Sequence, residues 1–286
     1  MKHEDFGLIS IIMAAYNAEK TIEQAISSVL NQTYPNFELL VVNDCSKDGT
    51  ARLVENIAAK DSRVRLISNE KNSGVSFTRK HGLEEAKGAW IAILDSDDAW
   101  APEKLEKQID LQNRTNADLL FTGSAFMDAD GKPIDWYLVA PAEVGYRQLL
   151  KQNVLSNSSA LVRKELYAKY YAVGDGMHED FAIWLSILKE GRKAYGVDEP
   201  LLIYRIAKLS KSGNKVKAAK MNWNTYRYVG LNVVETAYYE AWYMVKNLVK
   251  YTNLKISEGG GVQNEVGFTT WFCIPCGLIE ELAVAV

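Results

Sequence analysis

No stretch of this 286-residue chain reaches about 18 uninterrupted apolar residues, the length a membrane-spanning helix requires. Nothing in it is therefore expected to cross a membrane. Acids stand where a secretory signal would carry net positive charge. Glu4 and Asp5 precede the first apolar run, and that run is short. Cysteine is scarce: Cys45, Cys273 and Cys276 are an odd number with no framework, which argues against a disulfide-stapled secreted protein. Cys273 and Cys276 have no second Cys or His pair nearby, so they read as incidental. No glycine-rich loop follows the first apolar run, where Ala14-Ala15-Tyr16-Asn17-Ala18 stands instead. That argues against a NAD-dependent oxidoreductase, which needs Gly-x-Gly-x-x-Gly at this point. It also argues against a nucleotidyltransferase with a glycine-rich phosphate loop.

What is present is a regular alternation. The apolar run Leu8–Ala15 ends in Tyr16-Asn17. Thr21-x-x-Gln24 has the spacing of a capping box, and Ile22, Ala25, Ile26, Val29 and Leu30 follow at helical spacing. Phe37–Val42 reads as a second strand, ending at Asn43-Asp44. A helix opens at Asp48-Gly49-Thr50 with Leu53, Val54 and Ile57 inward, and Val64–Ile67 is a third strand. Asn72-Ser73-Gly74 leads into a third helix that ends near Lys87-Gly88. The fourth strand, Ala89–Leu94, runs into Asp95-Ser96-Asp97-Asp98. Such alternation predicts an α/β fold with a mostly parallel, Rossmann-like sheet covered on both faces by helices. Every strand has polar residues at its carboxyl end, where open α/β sheets place ligands.

The acidic run carries the most specific chemistry. Asp95 and Asp97 are two apart and point the same way if the chain is extended. Two hard oxygen ligands suit Mg²⁺ or Mn²⁺, ions that keep waters and bind phosphate oxygens. The competing reading is a solvated acidic turn, because short acidic motifs match by chance.

The ordered set of motifs resembles the family 2 glycosyltransferases of the GT-A fold. The matching stretches are Ile9–Glu19, Val41–Thr50, Asn72-Ser73-Gly74 with Arg79, Asp95–Asp98, and His178-Glu179-Asp180 followed by Trp184. Within the family the chain is most similar to bacterial enzymes of teichuronic acid, capsule and O-antigen assembly. Tyr204-Arg205 and the segment from Ser210 through Lys215 to Lys220 support the narrower match. The family usually has Pro at Ala14, Gly at Cys45 and Asn at Lys80.

The resemblance implies inverting transfer of one sugar from a nucleotide diphosphate donor, expected to be UDP-linked, to a hydroxyl of a glycan or lipid-diphosphate-linked acceptor. It implies that Ala14, Ala15 and Tyr16 flank the base, that Asp44 accepts a hydrogen bond from uracil, and that Asn72, Gly74, Arg79 and Ser96 lie against the nucleotide sugar. Asp95 would hold the ribose or the metal shell, and Asp97 would ligate the metal. Asp180 would be the general base, with Glu179, Arg205, Ser210, Ser212 and Lys215 belonging to an acceptor or diphosphate loop. A non-catalytic sugar-nucleotide binding module is the remaining alternative, and the intact Asp97 and Asp180 argue against it. A processive synthase is not expected without membrane spans or a Gln-x-x-Arg-Trp sequence.

Further along, helices are expected over Pro102–Asn113 with Leu105, Ile109 and Leu111 inward, and over Tyr146–Lys151. Strands are expected over Asp118–Thr122 and Ser158–Val162, with a turn at Asp128–Gly131. A loop at Gly174–Met177 delivers Glu179 and Asp180 to a helix with a buried stripe of Phe181, Trp184, Leu185 and Leu188. Acids in a first helical turn are also common as simple dipole partners. The expected division is a nucleotide-sugar half over 1–100, an acceptor half over 101–205, a basic and aromatic helical segment over 206–253, and a glycine-linked tail over 254–286. Tyr204–Tyr251 holds nine Lys and Arg against two Glu, a balance of +7, so the remainder of a chain totalling −3 carries −10. Basic and aromatic helices suit an anionic membrane surface. The expected location is therefore cytoplasmic, at the inner face of the cell membrane. Packing of a helical hairpin on its own domain is the competing explanation, and no motif supports nucleic-acid binding.

Overall fold

The computed structural model describes residues 6–174, 176–206 and 215–252. The anticipated alternation is present through the first hundred residues. Strands β1 (Ile9–Ala15), β2 (Phe37–Asn43), β3 (Val64–Ser68) and β4 (Trp90–Ile93) are separated by helices α1 (Ile22–Leu30), α2 (Thr50–Ala58) and α3 (Val75–Glu85). These four strands are mutually parallel in the order β3-β2-β1-β4. The period of two in side-chain direction divides the core between the two faces. Ile11, Met13, Leu39 and Val41 pack with residues of α1, while Ile12 and Leu40 pack with Leu83 of α3. Strands buried on both faces read as unbroken apolar runs, which is why this half is legible.

The second half is mixed rather than parallel. It contains β5 (Ala99–Trp100), α4 (Lys104–Thr115), β6 (Leu119–Met127), β7 (Pro133–Leu138), β8 (Glu143–Val144) and α5 (Tyr146–Lys151). After these come β9 (Leu161–Arg163), α6 (Lys164–Tyr170), α7 (Glu179–Lys189), β10 (Ala194–Arg205), α8 (Lys215–Tyr228) and α9 (Val233–Thr252). The sheet continues from β4 through β9, β6 and β10 to β5. Strand β9 is antiparallel to both β4 and β6, whereas β10 runs parallel to β6.

Several sequence expectations need correction. Thr21 and Gln24 do not form a capping box: the Thr21 hydroxyl bonds the Ala18 carbonyl, and the Gln24 carbonyl oxygen accepts from Arg205. The expected strand over Ser158–Val162 begins as a 3₁₀ turn at Asn157–Ser159, and pairing starts only at Leu161. Helix α4 begins at Lys104, and Leu111 is only half-buried. The expected stripe on α7 is incomplete, since Ala182, Ile183 and Ile187 are buried as well and the helix is enclosed on most sides. The loop residue Asp175, the segment 207–214 with Ser210 and Ser212, and the tail after Thr252 lie outside the described residues.

The loops at the carboxyl ends of β1 and β2 are cross-stitched. The Asn17 N–H donates to Ser46 Oγ at 3.0 Å, and the Lys47 N–H donates to Asn17 Oδ1 at 2.8 Å. The Ala18 N–H donates to Thr50 Oγ1 at 2.8 Å, which fixes the start of α2 to the same loop. Within this junction Cys45 has φ of +57°, the left-handed region that disfavours a Cβ. The glycine usual in similar sequences suits that conformation. Cys45→Gly is expected to stabilise the protein by about 1 kcal/mol, the left-handed penalty less glycine's extra chain entropy. In thermal unfolding that corresponds to a Tm rise of about 2–4 °C, and a fall in Tm would show the Cys45 thiol contact with the Asn69 carbonyl to be the larger effect.

Candidate active site

Three groups of side chains meet at the carboxyl edge of the parallel strands. The first surrounds Asp44, which is buried at the end of β2. Its carboxylate accepts from Asn69 Nδ2 at 2.8 Å and from the backbone N–H groups of Ser73 at 2.8 Å and Gly74 at 2.9 Å. Asn72 Nδ2 donates to the Asp44 carbonyl at 3.2 Å. Gly74 has φ of +85°, which lets the chain turn its N–H onto the carboxylate just before α3. Asp44, Asn72 and Gly74 are thereby one fixed unit. Ala14, Ala15 and Tyr16 end the adjacent strand, and Tyr16 is 50% exposed, its ring open to a ligand.

The second group is built around Arg79. This side chain is only 6% exposed and projects from α3 between two acids. Its Nη2 donates to Asp95 Oδ1 at 2.5 Å and its Nη1 to Glu179 Oε1. Burial alone would ease the proton off the guanidinium, but the Asp95 and Glu179 charges outweigh it and hold its pKa well above the ordinary value. Asp95 sits at the end of β4 and Glu179 opens α7, so one guanidinium fastens both walls of the cleft. Asp180, next along, lines that cleft with Asp95. Burial and the neighbouring Glu179 charge push the Asp180 carboxyl up to about 7, against the opposing pull of Arg79 and a backbone N–H.

The third group is the acidic turn itself. Asp95 and Asp97 do not share a strand face, because β4 ends at Ile93 and the Asp98 N–H closes a turn onto the Asp95 carbonyl at 3.1 Å. The turn, not the pleat, brings the acids together. Burial and Asp95 raise the pKa of Asp97, and burial with the Asp95 and Asp97 charges holds that of Asp98 well above the usual carboxylate range. Arg205 does not present its guanidinium to a ligand as the sequence suggested. It is buried, its backbone N–H donates to Asp98 Oδ1 at 2.9 Å, and its Nε donates to the Asp97 carbonyl at 2.8 Å. Its remaining donors reach the Asp128 and Ala129 carbonyls and Gln24. Its work is to hold the acidic turn in place. Lys215 opens α8, and its side chain lies outside the described residues.

A divalent ion fits the donor chemistry of this turn. Asp97 is half-buried beside a second carboxylate, an arrangement a cation would relieve. Among the described residues no three His, Cys, Asp or Glu side chains form a ligand set. Among the described residues Asp95 and Asp97 would supply the protein's oxygens, with water and phosphate oxygens alongside, as Mg²⁺ tolerates.

The cleft between Asp95 and Asp180 has a volume of about 280 Å³ and continues along Thr122–Ser124, Leu138, the 153–157 loop, Tyr204 and Tyr243. At Gly123 a Cβ would lie 2.7 Å from the Leu138 carbonyl and 2.8 Å from the Glu199 carbonyl, so only glycine lets the flanking segments close there. Sequence reasoning missed this floor and missed the bracing of the Asp180 helix. The Ser76 hydroxyl donates to the Ala172 carbonyl at 3.2 Å, and the His178 N–H donates to Thr225 Oγ1 of α8 at 3.0 Å.

A parallel β–α half joined through an acidic turn to a mixed half is the architecture of GT-A glycosyltransferases. S. aureus TarS in complex with UDP-GlcNAc matches with a TM-score of 0.66 at 22% identity, over 86% of this chain and 74% of that one. The mannosyltransferase PcManGT from Pyrobaculum calidifontis, in complex with GDP-Man and Mn²⁺, matches with a TM-score of 0.60 at 15% identity, over 86% of this chain and 75% of that one. The sequence goes further than the fold. Residues 10–170 match the profile of glycosyl transferase family 2, and the chain belongs to that family. It is 38% identical over 222 residues to a Bacillus subtilis protein named for teichuronic acid biosynthesis, TuaG, covering 78% of this chain and 88% of that one. It is 36% identical to the Escherichia coli UDP-Glc:alpha-D-GlcNAc-diphosphoundecaprenol beta-1,3-glucosyltransferase WfgD, over 86% of this chain and 96% of that one.

The Arg79 bridge generates a direct expectation. Arg79→Gln leaves Asp95 and Glu179 uncompensated and should cost about 3–5 kcal/mol, the usual effect of removing one partner of a buried pair. Urea unfolding measures it. A loss below about 1 kcal/mol would show that the two acids relax into solvent.

Proposed function

We propose that the protein transfers a single sugar, with inversion, from a UDP-sugar to a hydroxyl of a glycan or lipid-diphosphate-linked acceptor in cell-surface polysaccharide biosynthesis. The observation that carries this reading is Asp180, a carboxyl raised to about 7 facing Asp95 across a cleft of sugar size. A base with a pKa near working pH combines availability with proton affinity. Its carboxylate takes the proton of the acceptor hydroxyl while the oxygen forms a bond to the anomeric carbon. The bond from that carbon to the diphosphate oxygen breaks on the opposite side, and UDP departs. Asp95 and Asp97 would hold Mg²⁺ or Mn²⁺, which when bound offsets charge on the departing diphosphate. Asp44, Asn72, Gly74 and Tyr16 would seat the nucleoside, and Ser96 the diphosphate end. The names of the TuaG and WfgD relatives support the acceptor class.

Transfer from UDP-sugars to a lipid-diphosphate-linked sugar tests this. Asp180→Asn should keep UDP binding and lose transfer by roughly 10²–10⁴-fold. Wild-type kcat should rise through pH about 7 as Asp180 ionises. The same raised pKa means that ionisation costs the folded state stability above its unfolded pKa, increasingly so up to about pH 7. Asp180→Asn should accordingly hold or raise Tm at pH 8. Asp97→Ala should abolish the Mn²⁺-dependent part of UDP affinity in calorimetry. A product with retained anomeric configuration would contradict single displacement.

We also infer that the C-terminal helices bring this cleft to an anionic membrane. No described helix is long and apolar enough to cross one. The packing alternative accounts for part of the aromatic content: the Tyr226 hydroxyl donates to the Leu150 carbonyl at 2.6 Å, and Tyr239 and Tyr243 pack against the core. Val233, Val234, Tyr238, Met244 and Val245 of α9 are left exposed. Co-sedimentation with anionic liposomes should weaken at high salt and on changing Lys246 and Lys250 to Glu, since each basic residue near the surface contributes about 1 kcal/mol. Binding indifferent to both would refute an electrostatic anchor.

A further inference from the structure

Asn157 occupies an unusual position. It opens the 3₁₀ turn before β9, is only 8% exposed, and lines the same cleft as Asp95 and Asp180. Neither its Oδ1 nor its Nδ2 has a hydrogen-bond partner. The turn that carries it is well bonded. The Asp95 N–H donates to Ser158 Oγ at 3.2 Å, Trp100 Nε1 donates to the Ser158 carbonyl at 2.7 Å, and Gln108 Nε2 donates to the Ser159 carbonyl at 2.9 Å. The Ala160 N–H returns to the Asn157 carbonyl at 3.1 Å. The turn is thus held in place, so the buried amide meets a ligand in the cleft by rotation about its own side-chain bonds.

A buried polar group left unpaired costs about 1–3 kcal/mol. Here an acceptor and a donor on one side chain are both unpaired, at a position where an apolar residue of similar volume would avoid the cost. The amide offers one carbonyl oxygen and two N–H donors in a plane. A sugar hydroxyl, which donates and accepts at once, is complementary to it. The turn that carries Asn157 touches the Asp95 backbone directly, so the amide lies toward the diphosphate end of the cleft.

We propose that Asn157 is a specificity-determining residue that reads a ring hydroxyl of the transferred sugar between Asp95 and Asp180. This rests on the reading of the cleft as a nucleotide-sugar site. The sugar's hydroxyl completes the hydrogen bonding that the folded protein leaves open. Selectivity follows, because a donor lacking that hydroxyl, or carrying it on the opposite face, leaves the buried amide unpaired again.

The test uses Asn157→Leu, nearly isosteric and apolar, with Asn157→Ala as the second variant in case leucine perturbs the turn. Calorimetry compares UDP with the UDP-sugar that wild type transfers, and thermal unfolding reports the ligand-free protein. Expected is unchanged UDP affinity, a loss of about 10–100-fold in the extra affinity conferred by the sugar, an equal or higher Tm, and reduced discrimination against the deoxy donor. These losses correspond to one hydrogen bond to a buried group. A structural role would instead lower Tm and leave the ratio of UDP-sugar to UDP affinity intact, and that result overturns the proposal. So does a rise in acceptor KM with donor affinity unchanged, which would assign the amide to the acceptor. Wild type and Asp180→Asn are run alongside. If wild type transfers and Asp180→Asn does not, an unaffected Asn157→Leu refutes this inference alone. If wild type uses no UDP-sugar, the parent reading and this inference fall together.

Discussion

The site depends on one guanidinium. Arg79 extends from α3 between Asp95 at the end of β4 and Glu179 at the start of α7, and it bonds both. Without a cation at that point, Asp95, Asp97, Asp98, Glu179 and Asp180 would gather near the cleft with, among the described residues, Arg205 on the far side of the turn to offset them. Buried charges are tolerated when paired and hydrogen-bonded, and Arg79 supplies both conditions for two acids. It also sets geometry. The β4 strand belongs to the parallel half and α7 to the mixed half, so the spacing between the acidic turn and the Asp180 helix is fixed by a single planar fork. Lysine, a point charge without that fork, would not hold two carboxylates in register.

Arg205 acts as a second tie of the same kind, at the opposite side of the acidic turn. Its backbone N–H and Nε hold Asp98 and the Asp97 carbonyl, and its other donors reach the β6–β7 turn and α1. The acidic turn is thus clamped between two arginines whose donors are largely committed to the fold, Arg79 Nε being left without a partner. What the clamp leaves unsatisfied is concentrated where ligands would bind. Asp97 and Asp180 hold raised pKa values, and Asp98 Oδ2 and both polar atoms of Asn157 lack partners. Proteins that are locally consistent elsewhere break their own rules at functional sites, and several of the violations here gather around the acidic turn and Asp180, while those at Arg65 and Asn222 lie apart from them.

The two halves were unequally legible for a physical reason. β1, β2 and β4 are central parallel strands buried on both faces, so each is a run of Ile, Val, Leu and Ala bounded by polar residues, and the pattern alone locates them. β10 hides itself: Asp198-Glu199-Pro200 interrupts it, and its register against β6 breaks between Val197 and Leu202. The 3₁₀ turn at Asn157–Ser159 reads as strand because small polar residues next to Leu161 and Val162 carry no helical signal. Arg205 reads as part of an acceptor or diphosphate loop because its structural partners are distant in sequence, Gln24 by 181 residues. No local window contains that contact. The motif residues proposed for the site come from order and resemblance. Asn157 could not, because its signal is an absence of partners that exists only in the folded chain.

This asymmetry also follows the chemistry. The end proposed for the nucleotide is built from backbone turns and short side chains: the Ser73 and Gly74 N–H groups on Asp44, and the Asn17–Ser46 and Lys47–Asn17 bonds between loops. Such turns demand particular residues at particular spacings and so leave a readable motif. The far end is a floor of β6 and β10 with a rim of Val139, Val154, Tyr204 and Tyr243, where shape rather than backbone geometry sets the requirement. Many residue combinations give a suitable shape. Substrate preference can therefore diverge at that rim and in the 153–157 loop while the arginine clamp and the nucleotide turns stay the same, which is how one fold serves different sugars and acceptors.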